Sequence, residues 1–228
     1  MKLTILRFYF ERLKNSNKYK CIIFDCDGVL VDSETIGNQV MVDLCNELGA
    51  NIDLNYAYKH FKGHSLYSCM SQIENLIRRE LPDNFEQRYR KQSYENFKNY
   101  IKPIRGVKEI LGNLKVPFCV ASSGPESKIR LNLEFTGLLP YFKGNIFSCY
   151  TIQKWKPDPA IFLWAAETMG FHPKDCVVIE DSLAGVKAAK AGEFKVFGYV
   201  EHDFNNELKH SADLVFNNMD VLPNLLKT

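Results

Sequence analysis

Cys21-Ile22-Ile23-Phe24-Asp25-Cys26-Asp27-Gly28-Val29-Leu30-Val31-Asp32-Ser33-Glu34 is the stretch that decides the fold. Its apolar start reads as a buried strand, and the strand ends in two carboxylates one residue apart. Residues i and i+2 of an extended chain face the same side, so Asp25 and Asp27 can converge on one point. Gly28 lets the backbone turn close to whatever those acids hold. Two like charges at the mouth of a buried strand repel unless a cation or a shared proton offsets them. A strand that simply ends in a polar turn would explain one Asp. Two acids followed by Gly favour a functional site.

The pattern on either side sets the fold class. Thr35 to about Tyr100 carries helical patterns, at Val40–Leu48, Ser65–Glu80 and Phe85–Tyr100, with almost no strand signal. Beyond Lys102-Pro103, apolar runs at Val116–Ala121, Asn145–Cys149, Cys176–Ile179, Phe194–Tyr199 and Leu214–Phe216 alternate with helical segments. These segments are Val107–Leu114, Ser127–Phe135, Pro159–Met169 and Leu183–Ala191. Short strands alternating with helices predict an α/β domain, a parallel sheet covered by helices on both faces. The first strand precedes the helical block, so the block is an insertion. Ligands of such sheets bind beyond the carboxyl ends of the strands, where Asp25 and Asp27 stand.

Composition narrows the class. The 228 residues, 46% hydrophobic and 25% charged, suit one large domain or a core with an insertion. A net charge of +2 gives no reason to expect nucleic acid or an anionic membrane surface as a partner. The seven cysteines include no Cys-x-x-Cys pair, which argues for reduced core thiols and a cytoplasmic protein. Met1 to Phe10 is too short and too charged for a membrane span. Leu3, Leu6, Phe10 and Leu13 predict a helical extension over residues 1–18. No internal repeat, Walker-A loop or Gly-x-Gly-x-x-Gly is present.

Three further strand ends carry polar clusters. Ser122-Ser123-Gly124-Pro125 offers hydroxyls and amides that suit an anion, although Ser-Gly-Pro is also an ordinary turn. In Trp155-Lys156-Pro157-Asp158-Pro159 the Pro holds Lys156 extended, yet a lone lysine is more often a solvated charge. Glu180-Asp181-Ser182 closes another apolar run, where acids can also serve a helix dipole. Asp32 and Ser33 read as helix-capping residues. Together these ends offer oxygen-rich ligation beside an anion cradle, which is the chemistry of Mg²⁺.

Asp25-x-Asp27-Gly28-Val29-Leu30-Val31-Asp32-Ser33, Ser122, Lys156-Pro157-x-Pro159 and Glu180-Asp181-Ser182-x-Ala184-Gly185 resemble the four motifs of the haloacid dehalogenase superfamily. The likeness is to its β-phosphoglucomutase-like phosphatase branch, from about Lys20 to the C-terminus. Phe147 to Ala160, Phe61-Lys62-Gly63 and Leu66-Tyr67 resemble 6-phosphogluconate phosphatases. The resemblance implies a Rossmann-like catalytic core over residues 19–34 and 102–228, and a helical cap over 35–101. It implies a monomeric, Mg²⁺-dependent phosphatase acting on a small phosphorylated metabolite. Asp25 is then the nucleophile and Asp27 the acid and base, able to hold a proton near neutral pH. Ser122, Ser123 and Gly124 bind phosphoryl oxygens, and Lys156 neutralises them. Asp25, the Asp27 carbonyl and Asp181 ligate the metal, and Glu180 completes the metal site through bound water. Lys62 and His64 are the expected substrate contacts, although His64 is equally readable as a surface histidine. A phosphosugar mutase is the alternative. Against it, Gly37 stands where β-phosphoglucomutases carry His, and Leu66 where they carry Arg. A dehalogenase would lack the second acid, Asp27.

Overall fold

The computed structural model describes residues 18–61, 66–201, 203 and 205–227. Strand β1 (Cys21–Phe24) lies inside a six-stranded, wholly parallel sheet with β2 (Phe118–Ser122), β3 (Ile146–Ser148), β4 (Cys176–Glu180), β5 (Lys195–Tyr199) and β6 (Leu214–Phe216). The order is β3-β2-β1-β4-β5-β6. Ile22 pairs with Phe118 on one side and with Val177 on the other. The chain therefore reverses its direction of winding at β1, and the crevice at that reversal is where such sheets take ligands.

Alternation along β1 divides the core. Ile22 and Phe24 join a cluster with Ile110 and Leu111 of α5 (Val107–Asn113) and Ile129 and Leu133 of α6 (Glu126–Phe135). Cys21 and Ile23 join Ile161, Phe162 and Ala165 of α8 (Ala160–Met169) and Val186 and Ala189 of α9 (Leu183–Ala191). A strand covered on both faces carries no polar side, which is why these runs are continuously apolar. Two four-residue helices complete this part: α7 (Cys149–Ile152) and α10 (Leu222–Leu225). All seven cysteines are free and buried, as reduced core thiols should be.

Helices α1 (Glu34–Glu47), α2 (Leu54–His60), α3 (Leu66–Ile77) and α4 (Phe85–Tyr100) build a separate apolar cluster from Val40, Leu44, Cys45, Ala57, Ile73 and Phe85. Two connecting segments lie side by side where the chain leaves and re-enters the sheet. Asp32 N donates to Lys102 O at 3.0 Å, and Ile104 N donates to Leu30 O at 3.0 Å. The expected boundaries shift locally. Helix α1 starts at Glu34, directly after the expected caps, and α2 is a short helix of the expected helical block that no single pattern marked, capped by Asp53 accepting from Tyr56 N at 2.8 Å. Residues 1–17, with the expected N-terminal helix, and Lys62 and His64 lie outside the described residues. No described helix is long and apolar enough to cross a membrane.

Candidate active site

Asp25 extends the sheet ladder by one bond, its N–H donating to Ile179 O at 2.9 Å, so its side chain stands at the carboxyl edge between β1 and β4. Gly28 then turns the chain with φ of +77°. A Cβ on Gly28 would lie 2.3 Å from Asp181 Oδ2. Glycine is thus needed here for both its dihedral and the close approach of the second acidic loop.

Lys156 links the acids. Its ammonium donates to Asp25 Oδ1 at 2.6 Å and to Glu180 Oε2 at 2.7 Å, and it lies 5.0 Å from the centre of the Phe162 ring. Only 4% of its side chain is exposed, so this lysine is not the solvated charge that a lone sequence position suggests. Glu180 is fully buried, and its other oxygen accepts from Asp181 N, Ser182 N and Ser182 Oγ, the last at 2.8 Å. Ser182 Oγ in turn accepts from Gly185 N at 3.1 Å and caps α9. Gly185 is confined, because a Cβ there would stand 2.0 Å from Glu180 Cδ.

Oxygens of Asp25, Glu180 and Asp181 lie within 4.8 Å of one another, all three residues being buried. Burial raises the Asp25 pKa well above the ordinary carboxylate value, the charge of Glu180 adds to this, and Lys156 opposes it. Burial pulls the Lys156 pKa down, but the Asp25 and Glu180 charges outweigh it and raise it overall. Three buried carboxylates are thus clustered with a single ammonium, which pairs with two of them. This hard-oxygen donor set with surplus negative charge fits a divalent cation such as Mg²⁺.

Asp27 faces elsewhere. Both of its carboxylate oxygens accept from Lys128 Nζ at 3.0 Å, and Oδ1 also accepts from Ser33 Oγ at 2.5 Å and Asn132 Nδ2 at 3.4 Å. Burial alone would raise its pKa, but Lys128 and the Ser33 hydroxyl outweigh burial and lower it. These contacts favour the carboxylate form of Asp27 in this arrangement. Ser33 departs from its expected capping role: it occupies the N-cap position of α1 without a capping bond and gives its hydroxyl to Asp27 instead.

The anion cradle is ordered by its own bonds. Gly124 N donates to Ser122 Oγ at 3.1 Å, and Ser148 at the end of β3 donates to Gly124 O at 2.6 Å. Asp25, Asp27, Ser122, Ser123, Gly124, Lys156, Glu180 and Asp181, brought from four strand ends, line one cavity of about 460 Å³. That size suits a small-molecule site. Leu66, Tyr150 and Trp155 also line it, the last two with ring centres 5.4 Å apart. Lys128, Asn132 and Ser148 were not foreseen. Lys128 and Asn132 lie one helical turn apart on α6, so they reach the same carboxylate, but nothing nearby in sequence marks them.

Residues 19–192 match the profile of the haloacid dehalogenase-like hydrolases. The chain belongs to the haloacid dehalogenase-like hydrolase family. Among its relatives is the 6-phosphogluconate phosphatase of Escherichia coli, 32% identical, the alignment covering 92% of this chain and 96% of that protein. A conserved haloacid dehalogenase-like protein of unknown function from Agrobacterium tumefaciens superposes with a TM-score of 0.86 at 32% identity, over 91% of this chain and 97% of that one. A putative beta-phosphoglucomutase from Thermotoga maritima gives 0.75 at 25% identity, over 90% and 98%. As a family member the chain is a hydrolase, and its phosphatase-named relative supports phosphatase activity. A Cβ on Gly37 would lie 3.3 Å from the Tyr89 hydroxyl, which would have to give by a few tenths of an ångström. Leu66 brings no charge to the cavity.

Proposed function

We propose that this haloacid dehalogenase-like hydrolase is a Mg²⁺-dependent phosphatase of a small sugar-type phosphate, with 6-phosphogluconate as the specific candidate. The observation that carries the reading is the Asp25–Lys156–Glu180–Asp181 cluster at one end of a cavity that also holds Ser122. The substrate comes from the name of the Escherichia coli relative.

The Asp25 carboxylate attacks phosphorus while the bond to the leaving oxygen breaks, giving an aspartyl-phosphate. Once Asp27 turns away from Lys128 and Ser33, the contacts that favour its carboxylate are gone, and the carboxyl can carry a proton to the leaving alcohol and then take one from the water that hydrolyses the acyl phosphate. Lys156 keeps the Asp25 carboxylate oriented and offsets charge on the transferring group. Ser122, with the amides of Ser123 and Gly124, receives phosphoryl oxygens. Asp25, Asp181 and the Asp27 carbonyl would hold Mg²⁺, which supplies charge neutralisation so that an anionic nucleophile can approach. Glu180 holds Lys156 and the 181–182 turn in place and would complete the cation site through water. Residues 35–101 serve as a cap for the core of 19–34 and 102–228, and Lys62 and His64 stay the expected substrate contacts. Closure of that cap excludes water.

The test is phosphate release from a panel of sugar phosphates, polyol phosphates and nucleotides, with Mg²⁺ and with chelator. The reading expects Mg²⁺-dependent release that Asp25→Asn abolishes. Undiminished release by Asp25→Asn would refute it. With β-glucose 1-phosphate and a bisphosphate primer, formation of glucose 6-phosphate without phosphate release would favour the mutase instead.

A further inference from the structure

Lys128 stands where two cavities meet. It lines the site of about 460 Å³, and it also lines a crevice of about 370 Å³ between α4 and α6, with Tyr89, Tyr94 and Phe97. Its stem runs past the anion cradle, since a Cβ on Gly124 would lie 3.7 Å from Lys128 Cδ. Its ammonium sits 5.6 Å from the centre of the Phe97 ring. Lys128 is thus the residue shared by the cavity that holds the anion cradle and the crevice beside it.

The cations of the site are unequally placed. Among the described residues, Lys128 and Lys156 are the two that line it. Lys156 is 4% exposed between two buried carboxylates, whereas the Lys128 side chain is 37% exposed and the carboxylate it holds is 20% exposed. A partly solvated ion pair contributes little net stability, so exchange of one carboxylate partner for another costs little. The present partner is Asp27, and while both Asp27 oxygens hold Lys128 the carboxyl is not turned to a leaving group.

We infer that Lys128 sets specificity at this site: it receives a carboxylate carried by the leaving group, exchanging Asp27 for the substrate and freeing the Asp27 side chain to rotate toward the ester oxygen. The inference rests on the phosphatase reading and adds the residue that selects a phosphorylated sugar acid over its neutral polyol counterpart. One ammonium matches one carboxylate. A second phosphate dianion is matched less well, because Glu34 and Leu66 line the same cavity and supply no further positive charge.

The test compares kcat/KM for 6-phosphogluconate and sorbitol 6-phosphate, two esters of one chain length that differ in the carboxylate. Wild type is expected to favour the acid at least tenfold. Lys128→Met should shrink that ratio at least tenfold, and Lys128→Arg should recover most of it. An unchanged ratio in Lys128→Met would overturn the inference, as would a wild-type enzyme that turns over both esters equally. Should Lys128→Met fail to fold, product inhibition of wild type decides: gluconate should inhibit at least tenfold more tightly than sorbitol, and equal inhibition would overturn it. Turnover of sorbitol 6-phosphate without preference removes this inference alone. Turnover of neither ester removes the phosphatase reading and this inference together.

Discussion

Gly185→Ala and Gly112→Ala are the same chemical change in two helices, and the structure gives them opposite signs. Glycine to alanine in a helix interior ordinarily stabilises by about 0.5–1 kcal/mol, since it restricts the unfolded chain. Gly112, exposed near the end of α5, leaves its added methyl 3.8 Å from the Tyr141 hydroxyl, an ordinary contact. In α9 the methyl at Gly185 would fall 2.0 Å from Glu180 Cδ and 2.1 Å from Oε2. Glu180 is fully buried, and moving it away from the methyl would pull it from Lys156 and the 181–182 turn. Overpacking costs about 1–3 kcal/mol, and pulling Glu180 from Lys156 disturbs a buried pair whose rupture costs about 3–5 kcal/mol. Taking about 3 kcal/mol for the disturbed pair against a helix gain of about 0.5–1 kcal/mol leaves Gly185→Ala roughly 2 kcal/mol less stable than wild type, or roughly 4–8 °C in Tm for a chain of this size. Gly112→Ala should rise by a degree or more. Urea and thermal unfolding of both variants measure the difference. A Gly185→Ala protein as stable as wild type would refute the packing argument.

Other outcomes follow from the same contacts. Lys156→Met strands two buried carboxylates, so kcat should fall about 10²–10³-fold, the scale seen when one preorganised charge-stabilising donor is removed. Steady-state kinetics at saturating Mg²⁺ checks this. Mg²⁺ at a hundred times its dissociation constant should stabilise the folded chain by about 2.7 kcal/mol. Asp181→Asn should lose most of that rise in Tm, with no substrate involved. Asp213 accepts from Val196 N, Lys190 and Lys195. Burial raises its pKa, but these three contacts outweigh burial and lower it. Its stabilising share is therefore present above the unfolded carboxylate pKa and lost as pH falls through the lower folded one. With both lysines about half exposed, Asp213→Asn should cost only about 1 kcal/mol at pH 7. Denaturant titrations should show that difference shrinking toward pH 3.

Much of the fold is legible because strand ends and helix starts are local events. Phe85–Tyr100, Leu183–Ala191 and Leu214–Phe216 keep their expected bounds, since each has a strong pattern or an abrupt polar edge. Helix α2 escaped because Leu54–His60 buries only Ala57 and so shows no apolar stripe. The site divides in the same way. Asp25, Ser122 and Asp181 announce themselves by ending apolar runs, and the parallel sheet brings those ends to one edge; Lys156 is marked only by the motif around it. The state of Asp27 could not be read, because Lys128 and Asn132 are 101 and 105 residues away and lie on a helix whose signal is apolar. Ser33 misled for a different reason: its position suits a cap, but a carboxylate six residues earlier is the better acceptor for its hydroxyl.

The central claim is that Asp25 carries the phosphoryl group. Rapid acid quench of the Mg²⁺-loaded enzyme during turnover of labelled 6-phosphogluconate, followed by peptide mapping, tests it directly. The account predicts an acid-stable, hydroxylamine-labile label on the peptide containing Asp25, absent in Asp25→Asn. Steady phosphate release with no label on the protein, or a label on another residue, would contradict it.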